Sequence, residues 1–200
     1  MQYLKEEVRK KIIDEALNEF SKCGYTKASI RNIVKNAGTS VGNFYKYFES
    51  KEDLYEKIID PVYSRLMNYL DKFSEVEVNE EAQDIFYELM EKVVDIFEEN
   101  KDELSLLLNS SSGSKYENCK MIFRNFITET VTRSFTYMLS KDNKRIKDDF
   151  VIKLLSYNLV ESISIILREK ESKVEVRKLM LTVIDIFYGD LINKLDIEKL

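Results

Sequence analysis

Apolar residues return with the period of an α-helix along almost the whole of this chain, and very little interrupts them. Val8, Ile12, Ile13, Ala16, Leu17 and Phe20 fall at i, i+4, i+5, i+8, i+9 and i+12, the stripe of one helix face. The 200 residues include five glycines and one proline against 44% hydrophobic residues, too few breakers for an all-β fold and too much core material for disorder. The fold class read from this pattern is all-α, with about nine helices.

The stops are legible near the amino terminus. A first helix is expected over about 4–22, ended by Gly24, and a second over 29–37, ended by Gly38, because glycine takes up the positive-φ conformation that closes helices. Ser40 then caps a short third helix of about 41–47 by accepting the amide of Gly42 or Asn43. Phe44 and Phe48 lie four apart and turn inwards, which leaves Val41, Asn43, Tyr45, Lys46 and Tyr47 for solvent or a partner. Ser50, followed by acidic residues, opens a long helix to about residue 73, where Pro61 is expected to introduce a kink. Five more helices follow over about 79–99, 101–110, 115–139, 146–169 and 172–194, with no strand.

Missing residue types exclude several chemistries. There is no histidine, which removes histidine-based nucleophile pairs and histidine-ligated metal sites. Cys23 and Cys119 are far apart and form no Cys-x-x-Cys pair, so no metal, no cofactor and a reducing, cytoplasmic setting are expected, without a membrane segment. An enzyme is not expected. The net charge of −5 hides an asymmetry: residues 1–51 carry ten Lys and Arg against six Asp and Glu, whereas residues 52–200 carry 21 against 30. A basic end on an acidic body fits a polyanion partner for that end, although so small an excess is also an ordinary surface.

Three short helices, the last two joined by Ala37-Gly38-Thr39-Ser40, match a helix-turn-helix, in which one helix braces on the DNA backbone and the next enters the major groove. Candidate DNA-binding residues are Ser29, Arg31, Thr39, Ser40, Val41, Gly42, Asn43, Tyr45, Lys46, Tyr47 and Lys51. Gly42 lets a phosphate approach, Asn43 can read base edges, and Tyr45, Lys46 and Tyr47 can donate to phosphate oxygens. Lys51 brings an ammonium to the start of the fourth helix, again towards phosphate. Taken singly, each is equally well a capping, surface or packing residue.

The run from Ile12-Ile13-Asp14-Glu15-Ala16-Leu17 through Gly24-Tyr25, Ser29-Ile30-Arg31-Asn32-Ile33-Val34 and Ala37-Gly38-Thr39-Ser40-Val41-Gly42-Asn43-Phe44-Tyr45 to Ser50-Lys51-Glu52-Asp53-Leu54 resembles the DNA-binding domain of TetR/AcrR-family transcriptional regulators. The resemblance implies a homodimer with a helix-turn-helix domain at 1–50 and a helical ligand-binding and dimerisation domain at 51–200. It implies a repressor released from a palindromic DNA operator by a small-molecule effector. In that family Tyr45 and Lys51 would hold phosphates, and Ser29 would take the helix-capping and phosphate role of a threonine often found where this chain has Ala28.

Composition suggests the rest. Tyr63, Met67, Phe86, Met90, Phe97, Phe123 and Phe126 could line a cavity for a lipophilic or aromatic effector, or could be plain core. The last helix carries a wide apolar surface and Gly189 within its pattern, which suggests close approach of another backbone. Ser162, Ile166, Val183, Phe187, Gly189 and Leu191 are the expected dimer contacts. A helical protein-interaction module that does not bind DNA is the alternative function, with a small helical enzyme a distant third.

Overall fold

The computed structural model describes residues 2–74 and 82–199, with side chains from residue 5 in the first stretch and from residue 91 in the second. Among the described residues there are nine α-helices: α1 (Gln2–Lys27), α2 (Ile30–Asn36), α3 (Val41–Phe44), α4 (Lys51–Ser74), α5 (Ala82–Glu99), α6 (Lys101–Asn109), α7 (Cys119–Ser140), α8 (Phe150–Glu169) and α9 (Lys173–Tyr188). Their contacts divide the chain into two units. One comprises residues 1–65 and 100–119, the other residues 66–99 and 120–200. The expected boundary at residue 50 therefore falls inside the first unit, because α4 up to Arg65, α6 and the segment after it pack with α1–α3.

In the first unit, α1 turns a corner at Gly24, whose φ of 73° and ψ of 162° belong to a region only glycine enters freely. Its last turn, residues 25–27, is held by the segment after α6: the Tyr25 amide donates to Ser110 O at 2.9 Å and Thr26 Oγ1 to Ser112 O at 2.8 Å. α4 is one unbroken helix with Pro61 inside it. At its start Ser50 Oγ accepts the Asp53 amide at 3.0 Å while Asp53 Oδ2 accepts the Glu49 amide at 2.9 Å, two helix-end donors satisfied reciprocally. Partial burial would raise the Asp53 carboxyl, but hydrogen bonds from the Lys57 ammonium and the Glu49 amide hold it below its ordinary range.

Aromatic rings fill the space between α1, α4 and the segment after α6. Tyr55 is 1% exposed and packs edge-on against Phe20 at 4.8 Å and tilted against Tyr25 at 4.9 Å. Tyr116 donates its hydroxyl to Asp60 Oδ1 at 2.8 Å. The Tyr55 hydroxyl, by contrast, is buried with no hydrogen-bond partner among the described residues. A buried donor left unpaired costs about 1–3 kcal/mol. Tyr55→Phe keeps every ring contact and removes that cost, so urea unfolding followed by circular dichroism should find the variant more stable by about 1 kcal/mol or more. A loss of stability would show that the hydroxyl is satisfied in solution.

In the second unit α9 packs against both α5 and α8. Arg177 of α9 reaches Glu91, Asp95 and Glu98 of α5, and Lys173 Nζ donates to Glu99 O at 3.0 Å. Ser156, Leu159, Val160 and Ile163 of α8 and Val176 and Met180 of α9 are buried, and Ser156 Oγ lies 3.0 Å from Tyr188 Oη. The sequence pattern gave no strand, yet residues Lys144–Ile146 (β1) and Ile197–Lys199 (β2) pair antiparallel, with Arg145 opposite Glu198 and their side chains 2.6 Å apart. Three-residue strands are too short to leave a period-2 signature.

α9 is shorter than its apolar pattern suggests. It stops at Tyr188 because Gly189 is its C-cap, and Asp190 follows with a left-handed φ of 56° before a 3-10 turn at Leu191–Lys194. A Cβ on Gly189 would lie 2.4 Å from Asp185 O. Glycine is needed there by the helix's own carbonyl.

Candidate nucleic-acid interface

The head is organised by the burial of two phenylalanines. Phe44 is 0% exposed and meets Tyr45 edge-on at 5.3 Å and Phe48 at 5.4 Å. Between α2 and α3 the chain reverses at Gly38, with φ of 66°, and Ser40 Oγ accepts the Asn43 amide at 3.2 Å. α3 is one helical turn, Val41–Phe44, continued by turns through Tyr47, and so shorter than the expected 41–47.

This geometry leaves one face open. Val41, Gly42, Tyr45 and Lys46 are exposed, Tyr45 by 55%, together with Ser40 and Arg31. Nothing lies within 4 Å of the position a Gly42 Cβ would occupy, so the surface beside it is free. Asn43 and Tyr47 are half-buried, as is Thr39, whose Oγ1 accepts from Asn43 Nδ2 at 2.9 Å. That bond uses one of the two amide protons of Asn43 and leaves its carbonyl oxygen.

Two residues play parts the sequence did not indicate. The start of α2 is capped by Glu19 of α1: one carboxylate oxygen accepts the Ser29 amide at 3.1 Å and Asn32 Nδ2 at 3.0 Å, while Ser29 makes no side-chain cap. Glu19 is 7% exposed. Its place was legible in principle, since it lies three residues after Ala16 and seven after Ile12 on the buried stripe. The second is Lys51. It was expected to face phosphate, but its ammonium donates to the carbonyls of Tyr25 at 2.7 Å, Thr26 at 3.1 Å and Ala28 at 3.2 Å, and lies 4.8 Å from the centre of the Tyr25 ring.

The other expected sites are only partly assembled. Tyr63 lies in the first unit, half-buried and edge-on to Tyr116 at 5.0 Å, while Met67, Phe97, Phe123 and Phe126 lie in the second. Phe97 stacks on Phe123 at 5.6 Å and Phe126 meets Phe73 edge-on at 5.4 Å, so these rings fill one another's space as core. Phe86 and Met90 lie outside the described side chains. An open groove of about 710 Å³ runs instead between α7 and α8, lined by Arg124, Asn125, Thr132, Phe150, Leu154 and Tyr157 among others. Of the expected dimer contacts, Ile166 and Leu191 are buried within their own chain, 8% and 1% exposed, and Ser162, Val183 and Phe187 are half-buried. The exposed large apolar residues of these two helices are different ones: Phe150, Val151, Leu154, Tyr157 and Ile165 on α8 and Val174 and Ile186 on α9.

Among the described residues no group of three His, Cys, Asp or Glu side chains could hold a metal ion. Burial pushes the Cys119 thiol up to about 12, so at neutral pH it is a protonated packing group and no nucleophile.

Residues 12–58, the span that contains this whole face, match the family described as bacterial regulatory proteins, tetR family. Over that span the chain is of the TetR type. The chain is similar to the uncharacterized HTH-type transcriptional regulator YdgC of Bacillus subtilis (strain 168), 28% identical over 123 residues. It is also similar to the uncharacterized HTH-type transcriptional regulator YvdT of the same strain, 40% identical over 60 residues. The matched segments are 59% and 30% of this chain, and they span 63% and 31% of those relatives, less than two thirds of either. A crystal structure described as a gamma-butyrolactone receptor, an ArpA-like protein, superposes with a TM-score of 0.59 at 16% identity, covering 96% of this chain and 89% of that one. A likeness at that identity is one of fold, and it takes in the helical body as well as the TetR-type head.

Proposed function

We propose that this chain is a dimeric transcriptional repressor of the TetR family that binds a palindromic operator through its two heads and is released by a small lipophilic or aromatic effector. The reading is of a regulator and not of an enzyme. The observation that carries it is the open face of the helix-turn-helix: Val41, Gly42, Tyr45 and Lys46 exposed around a rigid Phe44–Phe48 pair, with Arg31 on the bracing helix. A free backbone at Gly42 allows close approach, Tyr45 and Lys46 donate to phosphates, and the remaining groups of Asn43 meet base edges.

A dimer is supported by the exposed apolar residues of α8 and α9. The effector part is supported by the ring contacts of Phe97 with Phe123 and of Phe126 with Phe73, which a lipophilic molecule would exchange for its own. Release would follow from an effector that binds better to a state in which the heads no longer match the operator spacing.

Gel-shift titration with the DNA upstream of the protein's own gene tests the reading. The wild type should bind with an affinity that falls steeply with salt, because phosphate contacts release counterions. Tyr45→Ala combined with Lys46→Ala should remove binding while the helical circular dichroism spectrum is kept. Retained binding by that pair would place the DNA contact elsewhere.

A further inference from the structure

The environment of Lys51 is that of a group already fully used. An ammonium has three protons. Here three backbone carbonyls, Tyr25 O, Thr26 O and Ala28 O, receive them within 3.2 Å, and the Tyr25 ring covers the charge. These carbonyls end α1 and lead into α2, where helix-end groups have no partner in their own helix. On the other side of the same joint the Glu19 carboxylate takes the Ser29 amide and the Asn32 side chain. One charge of each sign therefore fixes the two ends of the α1–α2 link, the cation on its acceptors and the anion on its donors. α2 and α3 leave this link directly, so its geometry sets where Val41, Gly42, Tyr45 and Lys46 are presented.

We propose that Lys51 is a positioning residue, tying the start of α4 to the α1–α2 link, and that it makes no phosphate contact. The inference rests on the reading that the head binds DNA, but it separates Lys51 from the contacting set.

Three measurements on the full chain test it, with a mixed-sequence DNA duplex at low salt as the probe. Lys51→Met should speed amide hydrogen exchange over residues 25–30 and weaken binding, with the slope of log affinity against log salt as in the wild type. Lys46→Ala, which loses a phosphate contact, should lower that slope by about one. Lys51→Arg should be as impaired as Lys51→Met, because a planar guanidinium cannot bring one nitrogen to three converging carbonyls, whereas at a phosphate Arg would serve at least as well. Finally, mild acetylation of the wild type should modify Lys51 slowly with or without DNA, and modify Lys46 quickly only without it.

A slope lowered by about one in Lys51→Met, rescue by Lys51→Arg, or a Lys51 that reacts readily in the free protein would each overturn the proposal. If Lys46 gains no protection from DNA, the DNA-binding reading fails instead, and the acetylation rate of free Lys51 still decides its own role.

Discussion

Phe44→Ala is expected to unfold the head, and to do so more completely than any exposed substitution in the helix-turn-helix. Phe44 is 0% exposed and forms the contact through which Tyr45 and Phe48 are held, at 5.3 and 5.4 Å. Truncating a buried phenylalanine costs about 3–5 kcal/mol, the lost transfer energy plus the cavity left behind. A whole domain is stable by only about 5–15 kcal/mol, and α3 is a single turn that cannot persist without packing. Hydrogen exchange should become fast over residues 29–48, and operator binding should disappear although no DNA-facing side chain was changed. Val41→Ala, at a position 37% exposed, is the control and should alter stability by about 0.5 kcal/mol or less. A Phe44→Ala protein within about 1 kcal/mol of the wild type would mean that this core does not hold the head together.

The head was the most legible part of the chain because its instructions are local. Gly24, Gly38, Ser40 and Ser50 act within a turn of their own positions, and the inward Phe44 and Phe48 follow from a spacing of four. What the sequence could not convey was long-range pairing. The partner of Lys51 lies 23 to 26 residues away and that of Glu19 10 to 13, and no periodicity encodes either. The body was read less well for a related reason. A stripe of Phe, Ile and Leu signals burial somewhere but does not distinguish core from cavity from interface, so Phe97 and Phe123 read as cavity lining or as plain core, and they stack on each other in the core. Ile166 and Leu191 read as interface and are buried within their own chain, while the exposed large apolar residues of α8 are Phe150, Val151, Leu154, Tyr157 and Ile165. The last helix ends at Gly189 and not near residue 194, and helix ends are the least periodic feature of any helix.

Leu154→Glu combined with Ile165→Glu is expected to turn the protein into a monomer and to cost at least about a hundredfold in operator affinity. The argument begins with the composition of α8, which has a mean hydropathy of 1.7, enough in length and composition alone to cross a membrane. One face is accounted for: Ile152, Ser156, Leu159, Val160, Ile163 and Leu167 are buried within the chain. The excess lies on the opposite face, where Phe150, Leu154, Tyr157 and Ile165 are 47–63% exposed and, by helical spacing, share one stripe. An exposed stripe of this kind marks an interaction surface, and a second copy of the same helix is self-complementary to it across a two-fold axis. Two carboxylates per chain would face their own copies in the middle of that contact. Because both positions are exposed, each chain should keep its fold, which the same change at buried Ile166 or Leu191 would not allow. Light scattering after gel filtration should give the mass of a dimer for the wild type and of one chain for the variant. The affinity loss follows because the second head no longer binds as part of the same molecule. A variant that remains dimeric would move the interface off α8, and a monomeric wild type that binds its operator with full affinity would remove the two-headed mechanism altogether.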